Sequence, residues 1–235
     1  MVENPRILAL DTSSQVSSVA LCQAEMLVAE SALSLRSTHS QSLLAQIDSL
    51  LKAASWTLAD LDLLAVVTGP GAFTGLRIGV ATIKGLAQVL NLPVVSVSSL
   101  TAVAMNLPLL SLPVCVFIDA RKKEVYTQQF QFQGGFPRPL NQARVIAPNR
   151  VLAELQGDVC FVGDGVAAYP DLLLQHGYTQ QHIAPACCYP IQASRVAALA
   201  LHDYRKGLTQ QPGEVVPTYI RPADAELNKQ NNNVG

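Results

Sequence analysis

Charged residues are scarce in this sequence, and the positive ones do not cluster. Charged residues make up 14% of the 235 positions, and the formal net charge is −1. The longest run of cations is Arg121-Lys122-Lys123, which Glu124 follows directly. A protein that grips nucleic acid by itself presents a large basic surface. The composition argues against that role, and it leaves open a subunit whose partner holds the nucleic acid.

The sequence also lacks an apolar run long enough to cross a membrane, which takes about 18–20 residues. The longest run, from Leu107 to Ala120, is broken by Pro113 and contains Asp119 near its end. The N-terminus leads directly into an alternating strand pattern with an acidic end, so it does not resemble a signal peptide. We therefore expect no membrane contact.

The five cysteines are odd in number and show no C-x-x-C spacing. Cys22, Cys115 and Cys160 lie in apolar, strand-like segments, which predicts buried free thiols. Free thiols indicate a reducing environment, so we expect a cytoplasmic protein.

Residues that hold metals or act as nucleophiles do not converge in this sequence. A zinc or iron site needs two or three convergent ligands, yet no histidine pair has H-x-x-x-H or H-E-x-x-H spacing. There is no G-x-S-x-G nucleophile elbow, and Cys187-Cys188 has no recognisable base partner. We therefore predict neither a metal site nor catalytic residues. The four histidines are His39, His176, His182 and His202.

What the sequence does contain is a repeated hairpin pattern. The segment RILALDT (6–12) reads as a strand ending at Asp11, followed by a short turn and the strand VSSVALC (16–22). The segment VCVFIDARKKEVYTQQFQF has the same order, with Asp119 in the place of Asp11. A duplicated hairpin suggests two similar α/β domains.

The predicted domain boundary lies where the pattern breaks, in MNLPLLSLP (105–113). We assign residues 1–106 to an N-terminal domain, together with a C-terminal amphipathic helix of about residues 194–222. Residues 107–193 form a second, smaller domain. Residues 223–235 are expected to be a disordered tail, because they lack the apolar content to order themselves.

A glycine-rich stretch, GPGAFTG (69–75), joins a buried-strand pattern to a helix pattern. Such a turn can bind phosphate or can let two backbones approach closely. The P-loop template fails because Leu76-Arg77 stands where Lys and Ser or Thr belong. The dinucleotide template fails because Thr74 stands where its third glycine belongs.

The helix that follows carries a stripe of mostly small residues beside an apolar core stripe. Each glycine within a helix costs about 1 kcal/mol relative to alanine, and close approach of another backbone would offset that cost. The neighbour is either the Leu-rich helix 41–54 of this chain or a helix of another chain, and the spacing alone does not decide. The small stripe consists of Gly75, Gly79, Thr82 and Leu86, and the core stripe of Leu76, Val80, Ile83 and Ala87.

Four segments together closely resemble the bacterial TsaB (YeaZ) family. They are ILALDTSSQVSSVAL, GPGAFTGLRIGVATIKGLA, VVSVSSL followed by FIDARKKEVY, and VGDGVAAYPDLL. The resemblance runs from about residue 5 to about residue 222. It implies an α/β fold of the actin/Hsp70/sugar-kinase-like (ASKHA) class, with two similar domains that each have a mixed sheet and flanking helices.

The resemblance also implies a role in making threonylcarbamoyladenosine (t6A), a modified base beside the anticodon of certain tRNAs. Members of the family are understood to be non-catalytic subunits that bind and activate the paralogous transferase TsaD, with the ATPase TsaE as third member. TsaD binds its metal through an H-x-x-x-H on the matching helix, where this sequence has His39 and Leu43. We therefore expect no cofactor in this chain, because ATP and metal belong to the partners, and only indirect contact with tRNA.

The resemblance implies an interface as well. Helices matching residues 39–54 and 74–90 pack against their counterparts in TsaD, and they pair into a homodimer when TsaD is absent. On this interpretation the small stripe is a partner surface and not a phosphate cradle. The expected interface residues are His39, Leu43, Leu44, Ile47, Leu51, Gly75, Gly79, Thr82 and Leu86.

Two other functions compete with this hypothesis. An independent ATP-dependent small-molecule kinase would need a second phosphate loop such as D-G-G-T, where this sequence has Ala120-Arg121. A peptidase, as older labels of the family suggested, is disfavoured for want of a metal or a nucleophile. Residues that would surround a nucleotide, and that are vestigial on the first hypothesis, are Asp11, Ser13, Asp119, Gly163 and Gly165.

Overall fold

The computed structural model describes residues 2–34, 39–108 and 110–221, and for residues 39–41 it describes the backbone alone. Within these residues the strands form two five-stranded sheets. The first contains β1 (Arg6–Asp11), β2 (Val16–Gln23), β3 (Met26–Ser34), β4 (Leu63–Gly69) and β5 (Val94–Ser98). The second contains β6 (Val114–Asp119), β7 (Val125–Gln133), β8 (Phe136–Pro139), β9 (Arg144–Ile146) and β10 (Cys160–Val162). The helices are α1 (His39–Ala53), α2 (Phe73–Leu90), α3 (Ser99–Ala104), α4 (Pro148–Glu154), α5 (Asp164–Ala168), α6 (Pro170–Gln175) and α7 (Ala193–Tyr204).

The first sheet is mixed and covered on both faces. Its order is β3-β2-β1-β4-β5, and β1 pairs antiparallel with β2 and parallel with β4. Because successive side chains of a strand point to opposite faces, Leu8 and Leu10 pack with α1 and α2. Ile7 and Ala9 pack with α3 and α7 on the other face. This double cover explains why the apolar strand β4 is buried along its whole length.

The second sheet is also mixed, and it shares a core with the first. Its order is β10-β6-β7-β8 with β9 beside β7, and β10 runs parallel to β6. One face packs against α4, α5 and α6. The other face joins the core formed by α3 and α7, which therefore lie between the two sheets. The expected fold, two similar domains that each have a mixed sheet and flanking helices, is confirmed.

Two expectations drawn from composition concern thiols and membrane contact. Cys22, Cys115 and Cys160 are buried free thiols, which confirms the prediction made from their apolar surroundings. Among the helices in the described part of the chain, none combines the length and the apolar character that a bilayer crossing needs.

The C-terminal part of the chain returns to the first domain. Helix α7 packs against β1, β2, β4 and β5. It ends at Tyr204, so the expected helix of about residues 194–222 is too long, and the described chain continues to Arg221 without another α-helix. The expected tail, residues 223–235, lies outside the described residues.

The prediction that the small stripe of α2 is a partner surface is wrong for its two glycines, because Gly75 and Gly79 face this chain's own first hairpin. A Cβ on Gly75 would lie 1.9 Å from the carbonyl oxygen of Thr12, and one on Gly79 would lie 2.4 Å from Thr12 Oγ1. The Thr12 hydroxyl donates a hydrogen bond to the carbonyl of Gly75, at 2.7 Å. Both glycines are buried. The two glycines therefore pack against the turn after β1. They do not form a surface for a partner or for the helix 41–54.

This packing predicts different effects for two glycines of the same helix. In Gly75→Ala the new methyl group would overlap the Thr12 carbonyl, so we expect the free energy of unfolding to fall by at least about 2 kcal/mol. Gly85 has no atom within 4 Å of a built Cβ, so Gly85→Ala should stabilise the protein by up to about 1 kcal/mol through helix propensity. Urea denaturation of both variants measures the difference, and equal effects would contradict the internal packing.

Candidate functional site

A cleft lies between the two domains at the ends of β1 and β6. It comprises two adjoining cavities of about 310 Å³ and 390 Å³. Ser13 from the turn after β1, Asp119 at the end of β6 and Asp164 at the start of α5 line both cavities. The cleft therefore brings together Ser13 and Asp119, two of the five residues predicted to surround a nucleotide.

Asp11 does not line this cleft. Its side chain is fully buried, and its Oδ1 accepts a hydrogen bond from the Ser13 amide at 2.9 Å. Asp11 Oδ2 has no hydrogen-bond partner among the residues that the structure describes. Burial raises the pKa of the Asp11 carboxyl from 3.8 to about 6, against the opposing effect of hydrogen bonds from Ser13. Asp11 thus stabilises the hairpin turn through its hydrogen bond with the Ser13 amide, inside the first domain.

The carboxylates that do line the cleft are bound by neighbouring groups of the second domain. Asp119 accepts the Arg121 amide at 2.8 Å and pairs with the Arg121 guanidinium at 3.2 Å. The Asp119 amide in turn donates to Asp164 Oδ1 at 2.9 Å. Burial raises the pKa of Asp164, and the negative charge of Asp119 adds to the rise. These interactions hold the turn between β6 and β7 against the start of α5.

Gly163 and Gly165, the remaining predicted nucleotide residues, lie at the start of α5. Neither lines the cleft cavities. A Cβ on Gly163 would lie 2.2 Å from the Phe117 carbonyl oxygen, and one on Gly165 would lie 3.0 Å from the same oxygen. Gly163 also has φ of +114°, a conformation that side chains rarely adopt. The two glycines therefore let α5 approach β6 closely, and the nucleotide role stays a prediction.

A second candidate site is an apolar surface between α1 and α2, which we call the α1/α2 groove. Leu44 is 58% exposed and Val89 is 83% exposed. Gly85 lines the same cavity and has open space where a side chain would be. The groove is lined by Leu44, Leu58, Ala81, Thr82, Gly85, Leu86, Val89 and Leu90, and it continues beside Ile47, Leu51 and Trp56.

The groove contains only part of the predicted interface. Leu44, Thr82 and Leu86 line it. Ile47 and Leu51 line its continuation, although they are only 4% and 7% exposed. Leu43 is fully buried in the core of the first domain and does not line the groove. The side chain of His39 lies outside the described residues.

Ala81, Gly85 and Val89 line the groove but belong to neither of the two stripes predicted on this helix. They follow each other at intervals of four on α2 and so share one face of the helix. The sequence does contain a signal for this face, because Gly85 is a third glycine in the helix. Gly85 lies on a different face from Gly75 and Gly79.

Comparison with known proteins agrees with this architecture. A family model described as "TsaD: tRNA N6-adenosine threonylcarbamoyltransferase" matches residues 28–229. The Haemophilus influenzae protein named tRNA threonylcarbamoyladenosine biosynthesis protein TsaB is 34% identical over 94% of this chain and 95% of its own length. The Escherichia coli protein of the same name is 32% identical over 92% and 94%.

Solved structures match the whole fold. YeaZ from Pseudomonas aeruginosa superposes with a TM-score of 0.79 at 29% identity, covering 92% of this chain and 99% of that one. The ethanolamine utilization protein EutJ from Carboxydothermus hydrogenoformans superposes with a TM-score of 0.53 at 10% identity, covering 84% and 90% of the two chains, which shows the fold alone.

The paired domains and the cleft between them define a protein of the actin/Hsp70/sugar-kinase-like class. Within that class, the matches along nearly the whole sequence identify the family. This chain belongs to the TsaB (YeaZ) family, and it falls within the wider family that the TsaD model describes.

The buried Asp11 carboxyl predicts a pH dependence of stability. Its pKa is higher in the folded protein than the ordinary value of 3.8, so folding favours the protonated form. The free energy of unfolding should therefore fall by up to about 3 kcal/mol as pH rises from 4 to above 6. Asp11→Asn removes the titrating group and should flatten this part of the curve. Chemical denaturation at several pH values tests this, and an unchanged slope in Asp11→Asn would contradict it.

Proposed function

We propose that this chain is a non-catalytic subunit in the formation of t6A in tRNA. It binds and activates a TsaD-type transferase through the α1/α2 groove, with a TsaE-type ATPase as the third protein. The observation that carries the proposal is the exposed apolar groove on a chain whose relatives are named as t6A biosynthesis proteins. In the absence of the transferase, the same groove pairs two copies of this chain.

The chemistry of the groove suits a partner helix. Val89 and Leu44 expose apolar side chains, and complete burial of such a side chain contributes at most roughly 1.5–3 kcal/mol. Gly85 and Ala81 present almost no side chain, so a foreign helix can approach α2 closely there. Thr82 is already satisfied by donating to the Ile78 carbonyl at 2.9 Å, so covering it leaves no unpaired donor.

Several observations support the absence of catalysis in this chain. Among the described residues, no three side chains of His, Cys, Asp or Glu are grouped so that they could hold a metal ion. In the cleft, Asp119 already accepts the Arg121 amide and pairs with the Arg121 guanidinium. Asp11, Gly163 and Gly165 do not line the cleft, which weakens the alternative of an independent kinase.

The partner surface is tested by placing a charge in the groove. Val89→Glu should weaken binding to a TsaD-type partner at least about tenfold, because burying an unpaired carboxylate costs more than 1.4 kcal/mol. Leu174→Glu is the matched control, since Leu174 is a 55% exposed leucine on α6 of the second domain. Isothermal titration calorimetry gives both affinities, and sedimentation velocity reports self-pairing. Equal affinities of the two variants would contradict the assignment of the groove.

The function itself is tested by reconstitution. Purified TsaD-type and TsaE-type proteins, substrate tRNA and a source of threonylcarbamoyl-adenylate are incubated with and without this chain. Mass spectrometry of the digested tRNA should detect t6A only in its presence, and Val89→Glu should reduce the yield in parallel with binding. Full t6A formation without this chain would refute the proposal.

The kinase alternative makes an opposite prediction for the isolated chain. Because Ala120-Arg121 follows Asp119 where a second phosphate loop would have glycines, titration of the isolated chain with ATP and Mg²⁺ should show no micromolar binding and no ADP release. Saturable micromolar binding with turnover would favour the kinase.

A further inference from the structure

The last described segment of the chain, from Val215 to Arg221, passes from the first domain to the second, and we call it the C-terminal clasp. Val215 is fully buried in the core that β1 and β4 share with α1 and α2. Ile220 packs against the core that the two sheets share. The segment has no helical or strand structure of its own, so its course is set by contacts along its length.

The clasp is first anchored at the end of β4. The Thr218 amide donates a hydrogen bond of 2.7 Å to the Thr68 carbonyl. A Cβ on Gly69 would lie 2.6 Å from the Thr218 carbonyl oxygen, so the clasp backbone rests directly on this glycine. Gly69 has φ of +123°, which makes the position doubly unsuited to a side chain.

The clasp next contacts the first turn of α2. The Tyr219 ring stacks on Phe73, with centroids 5.1 Å apart. The Arg77 guanidinium lies 3.8 Å from the centroid of the Phe73 ring, and Arg77 Nε donates to the Tyr219 hydroxyl at 3.1 Å. These contacts combine aromatic stacking with a cation–π interaction.

The second anchor lies in the other domain, on the turn between β6 and β7. Arg221 Nη1 donates a hydrogen bond of 2.8 Å to the Ala120 carbonyl, and Arg221 Nη2 pairs with the Glu124 carboxylate. The Arg221 side chain is only 16% exposed. A largely buried guanidinium with two such acceptors is held more strongly than a surface ion pair.

The clasp contacts residues on both sides of the cleft. Phe73 and Ala120 both line its 390 Å³ cavity, and the clasp contacts both of them. The domains are also joined through the core around α3 and α7 and through the hydrogen bond from the Ser18 hydroxyl to the Ile191 carbonyl, at 2.8 Å. We propose that the clasp holds the two domains together along one edge of the cleft, so that its release lets the turn between β6 and β7 move away from α2. This inference does not depend on the proposed function.

The test is Arg221→Ala, which removes both contacts to the second domain. Hydrogen exchange followed by mass spectrometry should show about tenfold or more faster exchange in residues 119–126 and 215–221. Peptides from β1 and β4 should keep their protection, which shows that the variant is folded. Glu124→Gln removes the ionic partner from the other side, and the same two segments should lose protection. Unchanged protection of residues 119–126 in both variants would overturn the proposal.

Arg205→Ala is the matched control. Arg205 pairs with Glu25 within the first domain, and both side chains are at least half exposed. Trypsin offers a second readout, because Arg121, Lys122 and Lys123 form the turn that the clasp holds. Cleavage at these residues should be several-fold faster in Arg221→Ala than in Arg205→Ala, since exposed flexible turns are cut first. Equal cleavage rates in the two variants would overturn the proposal.

Discussion

The structure depends on a contact between two backbones, where the turn after β1 meets the glycines before and within α2. The Thr12 carbonyl occupies the space of a Cβ on Gly75, and the Ser13 carbonyl lies 2.4 Å from the place of a Cβ on Gly71. Only glycine tolerates such an approach, and the contact fixes which face of α2 is internal. Gly85 follows Gly79 by six residues, about 240° around a helix with 3.6 residues per turn, so it faces outward. The same contact therefore places Ser13 and Gly71 in the lining of the cleft and leaves Gly85 on the outside of α2.

The cleft and the α1/α2 groove have different chemical character. In the cleft, the carboxylates of Asp119 and Asp164 interact with groups of their own domain. In the groove, Leu44 and Val89 expose apolar surface. Large apolar patches on soluble proteins mark interaction sites more often than single exposed residues do. The contrast supports the proposed role, in which this chain acts through a partner and not through a reaction in its own cleft.

The fold was largely predictable, whereas the partners of individual residues were not. Apolar runs and strand alternation identified β1, β2 and β4, and the resemblance supplied the arrangement of the domains. Helical spacing showed that Gly75 and Gly79 share a face, but it cannot identify the residue that packs against that face. That residue is Thr12, which lies more than sixty positions away in the sequence. The turn Arg121-Lys122-Lys123 has three successive positive φ values without a glycine to signal them. The contact of Arg221 with Ala120 joins positions about a hundred residues apart, beyond the reach of local patterns.

The central claim is that the outward face of α2, and not its glycine face at Gly75 and Gly79, receives the partner. Hydrogen exchange on this chain with and without a TsaD-type partner tests it most directly. The account predicts new protection in α1 and in residues 81–90, with no change in residues 69–79. New protection confined to residues 69–79 or to the second domain would contradict it.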